Sequence, residues 1–224
     1  MTTVHPKTTK KLMKEDELQL FLAKAEEWFE KNWRILVYAA IGIVVIGIVI
    51  WAMAVSKANA NKDAGYDLAD ARLSLNKGEM SQATDKLKTI MTKRKGTSAA
   101  QEAALMLGRV SLFENKYDDA EKQFTDFLKK FPNEGVLSIG ATNGLAVCYE
   151  SRGKLKEAYD QYRKVYEMDK AGITAPQALY DAARVAIVMR DAEKAKLNAL
   201  TLTRDFPTST LRSQADELLS RTGR

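Results

Sequence analysis

The chain holds one cysteine, Cys148, and one histidine, His5, among its 224 residues. A single thiol makes neither an internal disulfide nor a multi-thiolate zinc site. It is silent on redox compartment, because a buried thiol persists in an oxidising or a reducing space. His5 stands in a polar tail before Pro6, the place of a solvated side chain rather than of a ligand or a base. Proline and glycine are also scarce, 4 and 12 residues. That argues against long disordered linkers and against an all-β chain full of tight turns. No glycine-rich phosphate loop follows a strand, and there is no Walker pattern, paired-histidine spacing or Cys-x-x-Cys. Acidic pairs such as Asp118-Asp119 fall at helix starts, where they favour the dipole. No catalytic constellation, cofactor site or metal site is expected, and the chain reads as a non-enzyme.

Charge is present but not concentrated. The net charge is +6, with both signs mixed along the sequence. Nucleic-acid binders gather their basic residues on one face or arm, so no nucleic-acid partner is expected. The densest basic run, Lys93-Arg94-Lys95, comes just after an expected helix, where cations suit the exposed carbonyls of a C-terminus.

One apolar run divides the chain. Ile35 to Val55 holds 21 residues without a charge. At the helical rise it makes about 31 Å, the thickness of a bilayer's hydrocarbon core. Trp33, Tyr38 and Trp51 stand near its ends, as aromatic residues do at membrane interfaces. A single membrane-spanning helix is expected over 35–55. The run is longer than the core of a secretory signal and is preceded by 34 residues, so an uncleaved anchor is expected. Ala52-Met53-Ala54 and Ala58-Asn59-Ala60 fit small-x-small cleavage sites, which keeps removal open as the alternative. Basic residues close to the run tie on its two sides. The short tail adds Lys7, Lys10, Lys11 and Lys14, which puts the N-terminus in the cytoplasm and the larger part across the membrane. Such a topology separates His5 from Cys148.

Within the tail of residues 1–34, Leu18, Phe21, Leu22, Ala25, Trp28 and Phe29 recur at helical spacing from Glu15 to Trp33. This amphipathic helix has two equal readings. It lies on the membrane surface and leads into the span, or it docks on a partner through Leu18, Phe21, Leu22, Trp28 and Phe29. Its face carries more acid than base, so anionic lipid is not the attraction.

The remainder, 56–224, repeats itself. Ala83, Ala120, Ala158 and Ala195 stand 37, 38 and 37 residues apart. The clearest unit, Gln101 to Pro132, places Ala104, Leu107, Gly108 and Leu112 on one helix, turns at Glu114-Asn115-Lys116, and places Tyr117, Ala120, Phe124, Phe127 and Phe131 on a second. Pro132 ends it, because its ring cannot continue the helix. Small residues at Gly108, Ala146, Ala183 and the four alanines let antiparallel helices approach closely, and Tyr117 and Phe124 fill the space between units. One helix pair cannot bury its own apolar face, but a stack can. Leu211 to Leu219 is expected to cap the stack, and the connection Asn133 to Ser138 accounts for the long period.

On Gly108, Ala120 and Pro132 the pattern resembles the tetratricopeptide repeat over roughly residues 62–221. The resemblance implies an all-α chain: amphipathic helix, transmembrane helix, then a right-handed α-solenoid of helix pairs. The layout of charged tail with Trp28 and Trp33, one span and repeats is similar to the bacterial ancillary Sec-translocon subunit family. That likeness implies an inner-membrane protein with a periplasmic repeat domain, a scaffold or co-chaperone assisting translocated proteins near the translocon and periplasmic chaperones. The alternative is a cell-division coordinator bound to a peptidoglycan-related complex. Association with further copies of the chain is also compatible with stacked repeats.

In such stacks the first helices line a concave partner-binding surface. Counted from the aligned units, its exposed positions are Arg72, Glu102, Leu105, Arg109, Asn143, Val147, Gln177, Tyr180 and Arg184. Arg72, Arg109 and Arg184 share one repeat position, broken at Val147. The plainer expectation is solvated arginines on charged helices. The sharper one is a ladder of guanidinium groups for carboxylates or peptide carbonyls. The family's clamp for chaperone tails needs Lys and Asn at set positions, and Asn143 alone comes near it, so that activity is not expected.

Overall fold

The computed structural model describes the backbone of residues 6–133 and 135–222, with side chains for Leu20 and for 22–221 except Glu134. Every regular element among the described residues is helical: α1 (Pro6–Asn76), α2 (Met80–Lys93), α3 (Ser98–Phe113), α4 (Tyr117–Lys130), α5 (Val136–Ser151), α6 (Leu155–Met168), α7 (Ala175–Val188), α8 (Ala192–Asp205) and α9 (Arg212–Thr222). The chain divides into two compact units, Met1–Lys57 and Ala58–Arg224. His5 and the side chains of Leu18 and Phe21 lie outside the described residues.

In the first unit the apolar run is helical throughout. An 18-residue window within Leu22–Asn76 has mean hydropathy 2.8, with none of its side chains buried. By length and composition this helix is long and apolar enough to cross a membrane. Leu22, Trp28 and Phe29, the described members of the tail face, are exposed.

In the second unit helices pair in sequence, the last segment of α1 with α2, then α3 with α4, α5 with α6, and α7 with α8, while α9 packs on α7 and α8. All four pivotal alanines are fully buried. Four residues later come Leu87, Phe124 and Tyr162, each fully buried, and then the small Ala199. Phe124 sits between Gly108 of its own pair and Gly144 of the next, which is how one ring joins two repeats. The turns inside the pairs are repeated as well. Gly78, Asn115, Gly153 and Arg190 all adopt the left-handed conformation, with φ of 79°, 58°, 72° and 60°. A left-handed residue at this point reverses the chain tightly enough for the second helix to fold back on the first.

Two boundaries correct the sequence reading. Val136, Leu137 and Ser138 belong to the first turn of α5, so the connection expected to run from Asn133 to Ser138 stops at Gly135. Ser138 donates its hydroxyl hydrogen back to the Phe131 carbonyl at 2.8 Å and so ties the two helices across that short loop. The capping helix begins at Arg212 and extends to Thr222, later than expected.

Candidate functional site

The first helices α3, α5 and α7 lie side by side and form a groove of about 690 Å³. Leu105 and Arg109 come from α3, Asn143 and Val147 from α5, and Gln177 from α7, so five of the nine sequence-chosen positions meet in one recess. Its rim is apolar and exposed: Phe113 at 72%, Val136 at 79% and Ile173 at 97%. Sequence reasoning missed these three because they stand at a helix end, at a helix start and in a loop, outside any helical period.

Leu105 is not exposed as expected. Only 6% of it reaches solvent. Gly140 on α5 has no side chain, and a Cβ there would stand 3.3 Å from the Leu105 methyl, so the leucine fills the space beneath the neighbouring helix. It is part of the floor of the groove rather than its surface.

The arginine positions divide into two kinds. Arg72 is ion-paired to Glu102 on the next first helix. Arg184 binds Glu150 on the preceding one, through Nη1 to Oε1 and through Nη2 to Oε2 at 2.8 Å. Glu150 also accepts from the Tyr162 hydroxyl at 2.9 Å, and Asp181 accepts from Gln177 Nε2 at 3.0 Å beside Arg184. The Arg184 guanidinium holds the Glu150 carboxyl below the usual carboxylate range, with help from the Tyr162 hydroxyl and against the effect of burial. Burial instead raises Asp181, opposed by Gln177 and Arg184. Burial also raises the Tyr162 phenol, and the Glu150 charge raises it further. Tyr180 packs half-buried against the Leu179, Ala183 and Leu218 cluster. Arg109 is exposed, and no ion pair or hydrogen bond holds it among the described residues. Thus two rungs of the expected ladder are closed within the chain and one is open.

Among the described residues no group of three or more His, Cys, Asp or Glu is placed to hold a metal. Cys148 is fully buried between α4 and α5, and burial pushes its thiol up to about 11.

The profile of the tetratricopeptide repeat-like domain matches residues 26–169, well over half of the chain. This chain belongs to the tetratricopeptide repeat-like domain family. Solved structures agree on the fold. A tetratricopeptide repeat protein from Parabacteroides merdae aligns with TM-score 0.61 at 16% identity over 72% of this chain, which spans 60% of that protein. MamA 41-end from Desulfovibrio magneticus RS-1 aligns with TM-score 0.55 at 16% identity over 71% of this chain and 93% of its own. YrrB, described as a tetratricopeptide repeat protein with an unusual peptide-binding site, aligns with TM-score 0.54 at 19% identity over 69% of this chain and 74% of its own. No curated protein matches. Tetratricopeptide repeats are protein-interaction modules, and the groove across α3, α5 and α7 lies on the concave row of first helices that such a stack presents.

Proposed function

We propose that this chain is a membrane-anchored protein-binding scaffold or co-chaperone of the bacterial cell envelope, acting on translocated proteins beside the Sec translocon. The observation that carries the binding role is the apolar groove spanning three successive first helices, with exposed Phe113, Val136 and Ile173 at its rim. Exposed apolar side chains gathered around a recess mark a surface that gains by being covered. The apolar stretch of α1, flanked by Trp33 and Trp51, supports an anchor over 35–55. Lysines in the tail support a cytoplasmic residue 1–34 segment and a periplasmic repeat domain over 56–224. The anchor restricts the repeats to the membrane plane and raises their local concentration near membrane partners. Leu18, Phe21, Leu22, Trp28 and Phe29 then form the docking face of the tail.

The test is a mild-detergent pull-down of the full chain beside a form lacking residues 1–55, with bound proteins identified by mass spectrometry. Translocon subunits recovered with the full chain alone support the proposal. The same partners on both forms, with no translocon subunit among them, place the scaffold elsewhere in the envelope.

A further inference from the structure

Two recesses flank α3. The 690 Å³ groove lies toward α5 and α7, and a second recess of about 230 Å³ lies toward α1 and α2, lined by Leu75, Met80, Met106 and Val110. Arg109 and Phe113 line both. Among the described residues Arg109 is also the only charged side chain lining either one. Its repeat counterparts Arg72 and Arg184 are neutralised by Glu102 and by Glu150, whereas no carboxylate meets Arg109 among the described residues. A segment that covered this guanidinium with apolar groups alone would strip its water and return nothing. A segment bringing a carboxylate would form a charge-assisted, bidentate contact. Because the cation stands between two apolar recesses, the matching acid lies inside the segment rather than at its end.

We infer that the groove selects a stretch of polypeptide in which one Asp or Glu, seated on Arg109, is flanked on both sides by apolar residues. The inference rests on the protein-binding reading above and narrows it to one chemistry. The apolar flanks enter the recesses beside α3, and Phe113 covers the junction. Partner choice then depends on the one charge along the track, where a like charge brought by the wrong partner is rejected.

The experiment is selection from a library of randomised dodecapeptides displayed on phage, against the full chain held in lipid nanodiscs, with empty nanodiscs as the subtraction. The wild-type chain is expected to enrich peptides with one interior acid between apolar residues, and a selected peptide should lose about tenfold in affinity when that acid becomes the amide. Arg109→Glu should abolish the preference for acid and favour Lys or Arg at the same place, and Arg109→Lys should retain it in weaker form. Unchanged helix content by circular dichroism shows that each variant is folded. Apolar peptides enriched without an acid, acids found only at the C-terminus, or an unaltered preference in Arg109→Glu would overturn the inference while leaving the groove a protein-binding site. No enrichment over empty nanodiscs would overturn both.

Discussion

Replacing Gly144 with alanine should destabilise the repeat unit, although alanine is the better helix former. Gly144 lies inside α5, where alanine is favoured over glycine by about 0.5–1 kcal/mol. Against that stands the Phe124 ring. A Cβ on Gly108 would stand 2.6 Å from Cε1 of the ring, and a Cβ on Gly144 would meet Cζ from the other side. Phe124 is fully buried, so the ring has no free space to enter. Forcing a methyl into a filled core costs about 1–3 kcal/mol, so at the middle of both ranges the net loss is about 1 kcal/mol. For a unit of this size that lowers the unfolding midpoint by about 2–4 °C. The assay is thermal unfolding of the full chain in detergent, followed by circular dichroism, with hydrogen exchange over α3 to α5 to localise the change. Phe124→Leu removes the obstructing ring end, so in that background Gly144→Ala should stabilise the protein. A higher midpoint for Gly144→Ala in the wild-type background would refute the account of the ring as a joint held from both sides.

Other outcomes follow from separate features. Arg190 holds a left-handed conformation where two of its repeat counterparts are glycine, so Arg190→Gly should raise stability by about 0.5–1 kcal/mol in denaturant titration; a loss would show that the side chain contributes more than the backbone relief. The Glu150 carboxyl is held below its ordinary value of 4.5, so its stabilisation is complete above that value and is lost as pH falls through the lower folded-state value. Glu150→Gln should therefore flatten the fall in stability between neutral and acid pH, and an unchanged slope would exclude this carboxylate as a contributor. Buried and raised to about 11, the Cys148 thiol should react slowly with maleimide in the folded full chain at pH 8 and rapidly in urea; fast labelling without urea would contradict its burial.

The helix pairs were legible because the alanine spacing reflects a local requirement, one close approach per pair, which recurs wherever the pair recurs. The turn was only half legible. Gly78 and Gly153 announce a left-handed residue, but Arg190 does not, because the helices packed on either side impose the conformation on whatever side chain is there. Leu105 was assigned to the surface since a helical wheel treats one helix at a time, and what buries it is the missing side chain of Gly140 on the next first helix. The partners of Arg72 and Arg184 were hidden for a related reason. Glu102 and Glu150 lie about one repeat away in sequence and come close only when neighbouring pairs stack. Val136 and Ile173 carry no periodic signal at all, so the rim of the groove emerges only from the folded chain.

The ion pairs between first helices are unevenly distributed. Arg72 with Glu102 clasps α1 to α3, and Arg184 with Glu150 clasps α5 to α7. Between α3 and α5 the same row offers Arg109 and Val147, which cannot pair with one another. Among the described residues this row is therefore clasped by charge near both ends and not in the middle, where the larger recess opens. Charge is replaced there by packing, Leu105 beneath Gly140 and Phe124 between Gly108 and Gly144, so the seam under the groove is held by apolar contact, which added salt leaves intact while it weakens the two clasps on either side.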